Sequence, residues 1–311
     1  NNIDELGIYS NFTAAIPSPT LLLPDAAQER EMAALQEKMS AVERQIAARR
    51  EEAKAEYAKW VDGNGAPVNP LRPLASYPLD EGSAEKTTPN VVDAGHPGTM
   101  RARLTFGQGR IGSAAFFKGD DELTFEGMRV FRRPDPFSFG IWVRPQEERD
   151  RATVVSYSRS GVDAGRGYEL LLDHGVPEFA LQHFFPGSQI RIRARNFHIP
   201  LNEWTHFTCT YDGSARASGL RLYINGQPAE VEVVRDNLVK DFIPRKEWGD
   251  IDVEKTLLQI GGRYSDAGVR NCSLDDFQVF DHVLSDAEVL VLAGHKEEPQ
   301  SWGAWFAGLF S

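Results

Sequence analysis

Apolar and polar positions along this chain follow two rhythms, and the change between them falls near residue 62. From Asp25 to Trp60 there is no glycine or proline, and Met32, Leu35, Met39, Val42 and Ile46 recur at alternating spacings of three and four. That is a heptad seam, so one long amphipathic helix is expected over residues 25–62. Asp25 stands where an N-cap is needed, and Gln28 three residues later completes a capping-box pattern. Tyr57 and Trp60 prolong the apolar face, while Arg49 interrupts it. The seam is short of four heptads, which favours packing on a neighbouring domain over a self-assembling coiled coil. Residues 1–24, with Pro17, Pro19 and Pro24, read as an extended lead-in.

After the turn cluster Asp62-Gly63-Asn64-Gly65-Ala66-Pro67 the period shortens to two. Short alternating segments follow, the clearest at 115–117, 137–143, 153–157, 168–172, 178–183, 205–211 and 220–224. Asn225-Gly226 is a tight hairpin signal, because both residues tolerate positive φ. Many short strands without helical spacers predict an antiparallel β-sandwich over 63–296, not a parallel α/β sheet. The chain is therefore expected to be mainly β, preceded by one long α-helix. Residues 297–311 form an apolar tail, with Trp302, Trp305, Phe306, Leu309 and Phe310 at helical spacing.

One segment has unusual chemistry. In Gln189-Ile190-Arg191-Ile192-Arg193-Ala194-Arg195 an apolar residue alternates with an arginine. As a strand it turns Ile190, Ile192 and Ala194 to a core and Arg191, Arg193 and Arg195 to the other face. The whole chain carries a formal net charge of -11, so this row reverses the local sign. Guanidiniums in a row suit polar or anionic ligands. The alternative is a sheet face balanced by acids such as Glu169 or Glu178.

The acidic balance argues against nucleic acid as the general partner. No apolar run approaches the ~20 residues of a membrane span. Asn1-Asn2-Ile3-Asp4 lacks the start of a signal peptide, and the opening reads as a piece of a longer protein. Cys209 and Cys272 belong to no CxxC or CxxCH motif, so neither zinc nor covalent haem is expected; whether they pair is open.

Six fragments in order, over about residues 75–293, resemble the laminin-G-like branch of the concanavalin A-like lectin/glucanase superfamily. They are Tyr77-Pro78-Leu79-Asp80-Glu81-Gly82, Val92-Asp93-Ala94-Gly95 through Gly98-Thr99, Ala115-Phe116-Phe117-Lys118-Gly119-Asp120, and Phe137 through Pro145 with its central Trp142-Val143. The fifth joins Trp204-Thr205-His206-Phe207 to Leu222-Tyr223-Ile224-Asn225-Gly226, and the sixth is Ser273 through Ser285. The lead-in, the charged helix, and the runs 163–172 and 234–238 are similar to the lectin-like insert of large planctomycete proteins that also carry cytochrome-c-like domains. That resemblance implies a jelly-roll sandwich in an exported, multidomain bacterial protein at the periplasm or cell surface, with no haem in this chain.

The resemblance also frames the chemistry. Retaining glucanases of this fold carry an E-x-D-x-x-E strand motif for nucleophile and acid/base. It is absent here, and Asp120-Asp121-Glu122 lacks its spacing, so no enzyme is expected. Related domains often hold calcium, which makes it the expected ion. Asp80, Asp120 and Asp275 are the candidate ligands, because first and last strands of such sandwiches commonly pair; plain turn carboxylates are the alternative. A carbohydrate ligand, polysaccharide or glycan, is the expected partner, together with neighbouring domains of the parent protein. Sugars are held by an aromatic face and by planar amide, carboxylate and guanidinium groups. The candidate contacts are Asp163, Arg166, Tyr168, His183, Phe185, Arg191, Arg193, Arg235, Asn237, Arg263 and Asp266. A structural reading of the same set pairs the arginines with Asp163, Asp236 and Asp266 and puts Phe184 or Phe185 in the core.

Overall fold

The computed structural model describes residues 24–64, 71–81, 86–102, 104–119, 121–158, 165–184, 187–243, 256–263 and 268–294, with the side chains of 50, 53–64 and 184 excepted. Two compact units are present, one containing the helix and the other spanning Pro70–His295.

Helix α1 runs Ala26–Asn64. Its start is fixed by the expected capping box. The Asp25 carboxylate accepts the backbone N–H groups of Ala27 and Gln28 at 2.8 and 2.9 Å, and the Gln28 amide oxygen accepts the Asp25 N–H at 2.9 Å. The helix runs two residues further than its pattern suggests, absorbing Gly63 and Asn64 into its last turn. Among the described residues no helix is long and apolar enough to cross a membrane.

The second unit is mainly β, two antiparallel sheets forming a sandwich. One sheet joins β1 (Ala75–Tyr77), β4 (Thr105–Gln108), β5 (Ser113–Phe117), β7 (Phe137–Pro145), β12 (Thr205–Tyr211), β13 (Leu220–Ile224), β14 (Gln227–Pro228) and β17 (Cys272–Phe280). The other joins β2 (Thr87–Thr88), β3 (Gly98–Met100), β6 (Leu123–Phe125), β8 (Arg151–Ser158), β9 (Gly167–Asp173), β10 (Val176–Phe184), β11 (Ser188–Ala194), β15 (Val231–Asp236) and β16 (Leu258–Ile260). Asn225 and Gly226 turn β13 into β14 with φ of 51° and 82°, the paired positive values a two-residue hairpin requires.

Between the sheets lies one continuous apolar core, in which Phe137, Phe139, Tyr168, Phe179 and Tyr211 meet ring to ring. A second helix, α2 (Asp286–Leu292), was not legible as a helix. It is capped by Ser285 and Glu288, and Val289 and Leu292 join Phe280, Leu284 and Tyr223 in a satellite cluster. Cys209 on β12 and Cys272 on β17 are both buried free thiols in the same sheet, so they form no disulfide.

β1 pairs with β17, Tyr77 opposite Phe277, so the first and last strands of the sandwich are neighbours. At the other end of the nine-stranded sheet the order is β15-β11-β10-β9-β8, which places the arginine strand next to the exposed edge strand β15.

Candidate functional site

Period two decides what each strand of the larger sheet offers. In β9, β10 and β11 the residues Tyr168, Leu170, Leu172, Phe179, Leu181, Ile190, Ile192 and Ala194 belong to the core. The alternate residues Glu169, Glu178, Gln182, Gln189, Arg191 and Arg193 share the opposite face. Register then brings them together. Ala180 is the cross-strand partner of both Glu169 on β9 and Arg191 on β11. Its methyl group is too small to fill the row, so the guanidinium of Arg191 reaches over it to the Glu169 carboxylate, Nη2 to Oε1 at 2.7 Å.

The same guanidinium gives Nη1 to Glu178 Oε2 at 2.5 Å. Weaker bonds at 3.4 Å run from its Nε to the Gln189 side-chain oxygen and from Nη2 to that of Gln182. Arg193, directly opposite Glu178, pairs with Glu178 Oε1 at 2.5 Å and with Asp173. Glu169 receives two further guanidiniums, Arg263 on Oε2 and Arg151 at 3.6 Å. The result is an alternating chain of charge, Arg263–Glu169–Arg191–Glu178–Arg193–Asp173. It is deeply buried at its centre, where Glu169 is 1% exposed and Arg191 6%.

The electrostatics follow from that alternation. Burial works against the charge on Arg191, but Glu169 and Glu178 outweigh it and hold its pKa above the ordinary guanidinium value. The hydrogen bond from Arg193 holds the Asp173 carboxyl below its ordinary value, with His174 assisting.

A second polar cluster surrounds Arg166, which is fully buried. Its Nε donates to the His183 carbonyl at 3.1 Å, and its Nη2 lies 3.3 Å from His183 Nε2. His183 Nδ1 lies 2.6 Å from the Asp241 carbonyl. A carbonyl only accepts, so Nδ1 carries the proton and Nε2 accepts from Arg166. The Gln182 amide donates to the Gly165 carbonyl at 2.6 Å, joining this cluster to the ion-pair chain.

At the sheet edge, Arg235 is the register partner of Arg191 and so shares its face, but it is exposed. Asn237 is also exposed and donates to the Gly187 carbonyl at 2.8 Å. Of the expected contacts, Arg166, His183, Arg191, Arg193, Arg235, Asn237 and Arg263 therefore fall on or beside this face. Tyr168 does not. It is one residue out of phase with Glu169, so it points into the core and stacks on Tyr157 at 5.5 Å between ring centroids. Burial raises its phenol pKa. Asp163, Phe185 and Asp266 lie outside the described residues. Sequence reasoning missed Gln182, Gln189 and Ala180, which strand parity and register together would have found.

The acidic corner lies where β1 meets β17. Asp80 Oδ1 accepts the Ser113 N–H at 2.6 Å, and Asp275 Oδ2 accepts the N–H groups of Arg110 and Ile111 at 2.7 and 3.1 Å. Asp275 is fully buried, and its Oδ1 has no hydrogen-bond partner among the described residues. Burial, aided by Asp80, pushes the Asp275 carboxyl up to about 6. Asp276, which the sequence reading passed over, is pushed up to about 7 by burial and by the charges of Asp275 and Asp80. Asp120 lies outside the described residues. The donors are hard carboxylate oxygens of the kind calcium takes, and Asp275 Oδ1 is a buried one without a partner among the described residues. Among the described residues no three His, Cys, Asp or Glu side chains form a complete ligand set, so backbone or solvent oxygens would have to contribute.

Residues 117–290, more than half of the chain, match a laminin-G-type family model described as the concanavalin A-like lectin/glucanases superfamily. No curated protein matches at a significant level. Among solved structures, domain 4 of AbnA, a GH43 extracellular arabinanase from Geobacillus stearothermophilus, determined in complex with arabinotriose, is similar at 15% identity and a TM-score of 0.46, covering 71% of this chain and 98% of that one. The binding domain of Paraclostridial Mosquitocidal Protein 1 has 15% identity and a TM-score of 0.51, covering 70% of this chain and 52% of that one. The botulinum neurotoxin serotype G binding domain has 17% identity and a TM-score of 0.47, covering 72% and 51%. This chain thus spans about half the length of the toxin binding domains. Likeness at these identities concerns the fold alone.

Proposed function

The chain belongs to the concanavalin A-like lectin/glucanases superfamily, and from that premise we propose that it is a non-catalytic carbohydrate-binding module of an exported, multidomain bacterial protein. The observation that carries this reading is the face of the nine-stranded sheet. There, planar hydrogen-bonding groups (Gln182, Gln189, Arg191, Glu169, Glu178) are fixed in a lattice that ends in the exposed pair Arg235 and Asn237. The lattice itself is buried, so it is the exposed edge pair, set beside strands that are already ordered, that would meet a sugar's hydroxyls at little further ordering cost. Both glutamates spend their carboxylate oxygens on guanidiniums, so neither of these two carboxyls is free to protonate a leaving group.

Calorimetric titration of the full chain with neutral and acidic polysaccharides tests the proposal. Saturable binding that weakens about tenfold or more in Arg235→Ala, with unchanged melting, supports it; an intact chain that binds none of them overturns it. For the acidic corner we propose calcium, with Asp80 and Asp275 supplying carboxylate oxygens and backbone or solvent oxygens completing the set. Bound there, the ion would offset three carboxylates that otherwise repel one another.

One observation favours a second reading. The donors of Arg191 and Arg193 are already occupied by carboxylates, as a purely structural platform would have them. In that reading the unit is a structural or protein-interaction module packing against neighbouring domains, and Arg235→Ala leaves every property unchanged.

A further inference from the structure

All five seam residues of α1 are solvent-exposed: Met32 44%, Leu35 51%, Met39 53%, Val42 52% and Ile46 48%. With Met32, Met39 and Ile46 at a, the d positions are Leu35 and Val42, and Arg49 occupies the next d. The flanking positions are polar throughout, with Glu31, Lys38 and Gln45 at g and Gln36 and Glu43 at e. The apolar stripe is therefore only two positions wide in each seven. A helix that lies on a globular core carries a wider stripe, because e or g is apolar as well; the narrow stripe is the shape of a two-helix seam.

We propose that α1 pairs with α1 of a second copy of this chain, as a parallel, in-register coiled coil closed by Arg49. This inference rests on the helix alone and is independent of the carbohydrate reading.

Charge selects both the partner and its direction. In a parallel pair each g residue meets the e residue five positions on in the other copy. The pairs are then Glu31 with Gln36, Lys38 with Glu43, and Gln45 with Arg50. Lys38–Glu43 is attractive and occurs twice by symmetry, and none of these flanking pairs repels; in the next d layer Arg49 meets Arg49, and that like charge ends the seam there. Antiparallel alignments fare worse. Setting Met39 against Leu35 puts Lys38 beside Lys38 and Glu29 beside Glu43. Setting Met39 against Val42 puts Glu31 beside Glu52, a repulsion that cancels the attraction of Glu29 for Arg50 in the same alignment. A second copy is thus the occupant for which the seam is self-complementary.

The seam covers about two heptads, so the association is weak, as expected for short helical contacts. Sedimentation velocity on the full chain from about 5 to 500 µM should show a reversible monomer–dimer shift. Val42→Glu places like charges in a d layer and should raise the dimer Kd at least tenfold. Lys38→Glu should weaken the dimer, and adding Glu43→Lys should restore it. Leu35→Cys should cross-link quantitatively under oxidation, because parallel register sets residue 35 against itself; the native thiols are buried and do not compete. All four positions are exposed or at the helix surface, so circular dichroism should be unchanged in each variant. A chain that stays monomeric at the highest concentration overturns the proposal. So does a dimer that survives Val42→Glu, or one that fails to cross-link through residue 35.

Discussion

Arg191 and Glu169 meet across an intervening strand, Nη2 to Oε1 at 2.7 Å, because the residue between them in register is Ala180. Arg191 thereby serves two buried carboxylates, and Glu169 serves three guanidiniums. The two partners are not equally replaceable.

Glu169→Gln should be the more damaging change. It leaves Arg191, Arg263 and Arg151 without their shared counter-charge, a loss of about 3–5 kcal/mol for a buried pair broken on one side. Arg191→Met leaves Glu169 with two arginines and Glu178 with Arg193, so its cost should be smaller. Ala180→Leu should approach the Glu169→Gln value by filling the space the guanidinium crosses. Chemical denaturation of the three variants ranks them, and equal costs for Glu169→Gln and Arg191→Met would contradict the network.

Arg193 is partly exposed, and so is its partner Asp173. Arg193→Ala should therefore lower stability by no more than about 1 kcal/mol at neutral pH. Its clearer signature is in acid. A depressed carboxyl pKa contributes stability that is present above the unfolded value of 3.8 and lost as pH falls through the folded value. Arg193→Ala should flatten the part of the stability–pH curve below about pH 4, which denaturation at a series of pH values reads directly.

The acidic corner has the opposite sign. Asp275 and Asp276 are raised to about 6 and about 7 from 3.8, so the folded chain binds more protons than the unfolded one in this window. Stability should fall as pH rises from about 4 to 7, by on the order of 3 kcal/mol for Asp275. Asp275→Asn keeps an acceptor for the Arg110 and Ile111 N–H groups and removes the charge. Its thermal melts should lose the Asp275 share of this slope and keep a part that belongs to Asp276; an unchanged slope places the titration elsewhere.

Calcium should act on the same slope. Millimolar Ca²⁺ at pH 8 should raise the melting temperature of the wild-type chain by several degrees, and excess chelator should reverse it. In Asp275→Asn the shift should be absent. A melting temperature indifferent to calcium in both proteins removes the metal from the account.

Burial pushes the Cys272 thiol up to about 12 and raises that of Cys209 as well. Neither should react with a thiol reagent in the folded chain, and both should react on unfolding. Rapid labelling of either in native buffer would show that the sandwich opens locally.

Which parts of this molecule could be read from the chain depends on how local the cause is. The helix start at Asp25, the Asn225-Gly226 hairpin, and the inward set Ile190, Ile192 and Ala194 were all legible, because capping, turn geometry and strand parity act within a few residues. Strand parity also fixed that Arg191 and Arg193 share a face. It could have removed Tyr168 from the candidate contacts, since Tyr168 and Glu169 are adjacent and must point apart. The sequence could not decide the partners. Acids elsewhere in the chain were available, and only register across β9, β10 and β11 selected Glu169, Glu178 and Asp173, with Ala180 as the gap that makes the longest reach possible. The approach of Asp80 to Asp275 was expected from the pairing of first and last strands, but the raised carboxyl pKa that follows came only from burial where β1 closes against β17. Local preferences are set by neighbours along the chain, whereas ion-pair choice and carboxyl pKa depend on distance through space and on burial. Those quantities exist only once the sheets have formed.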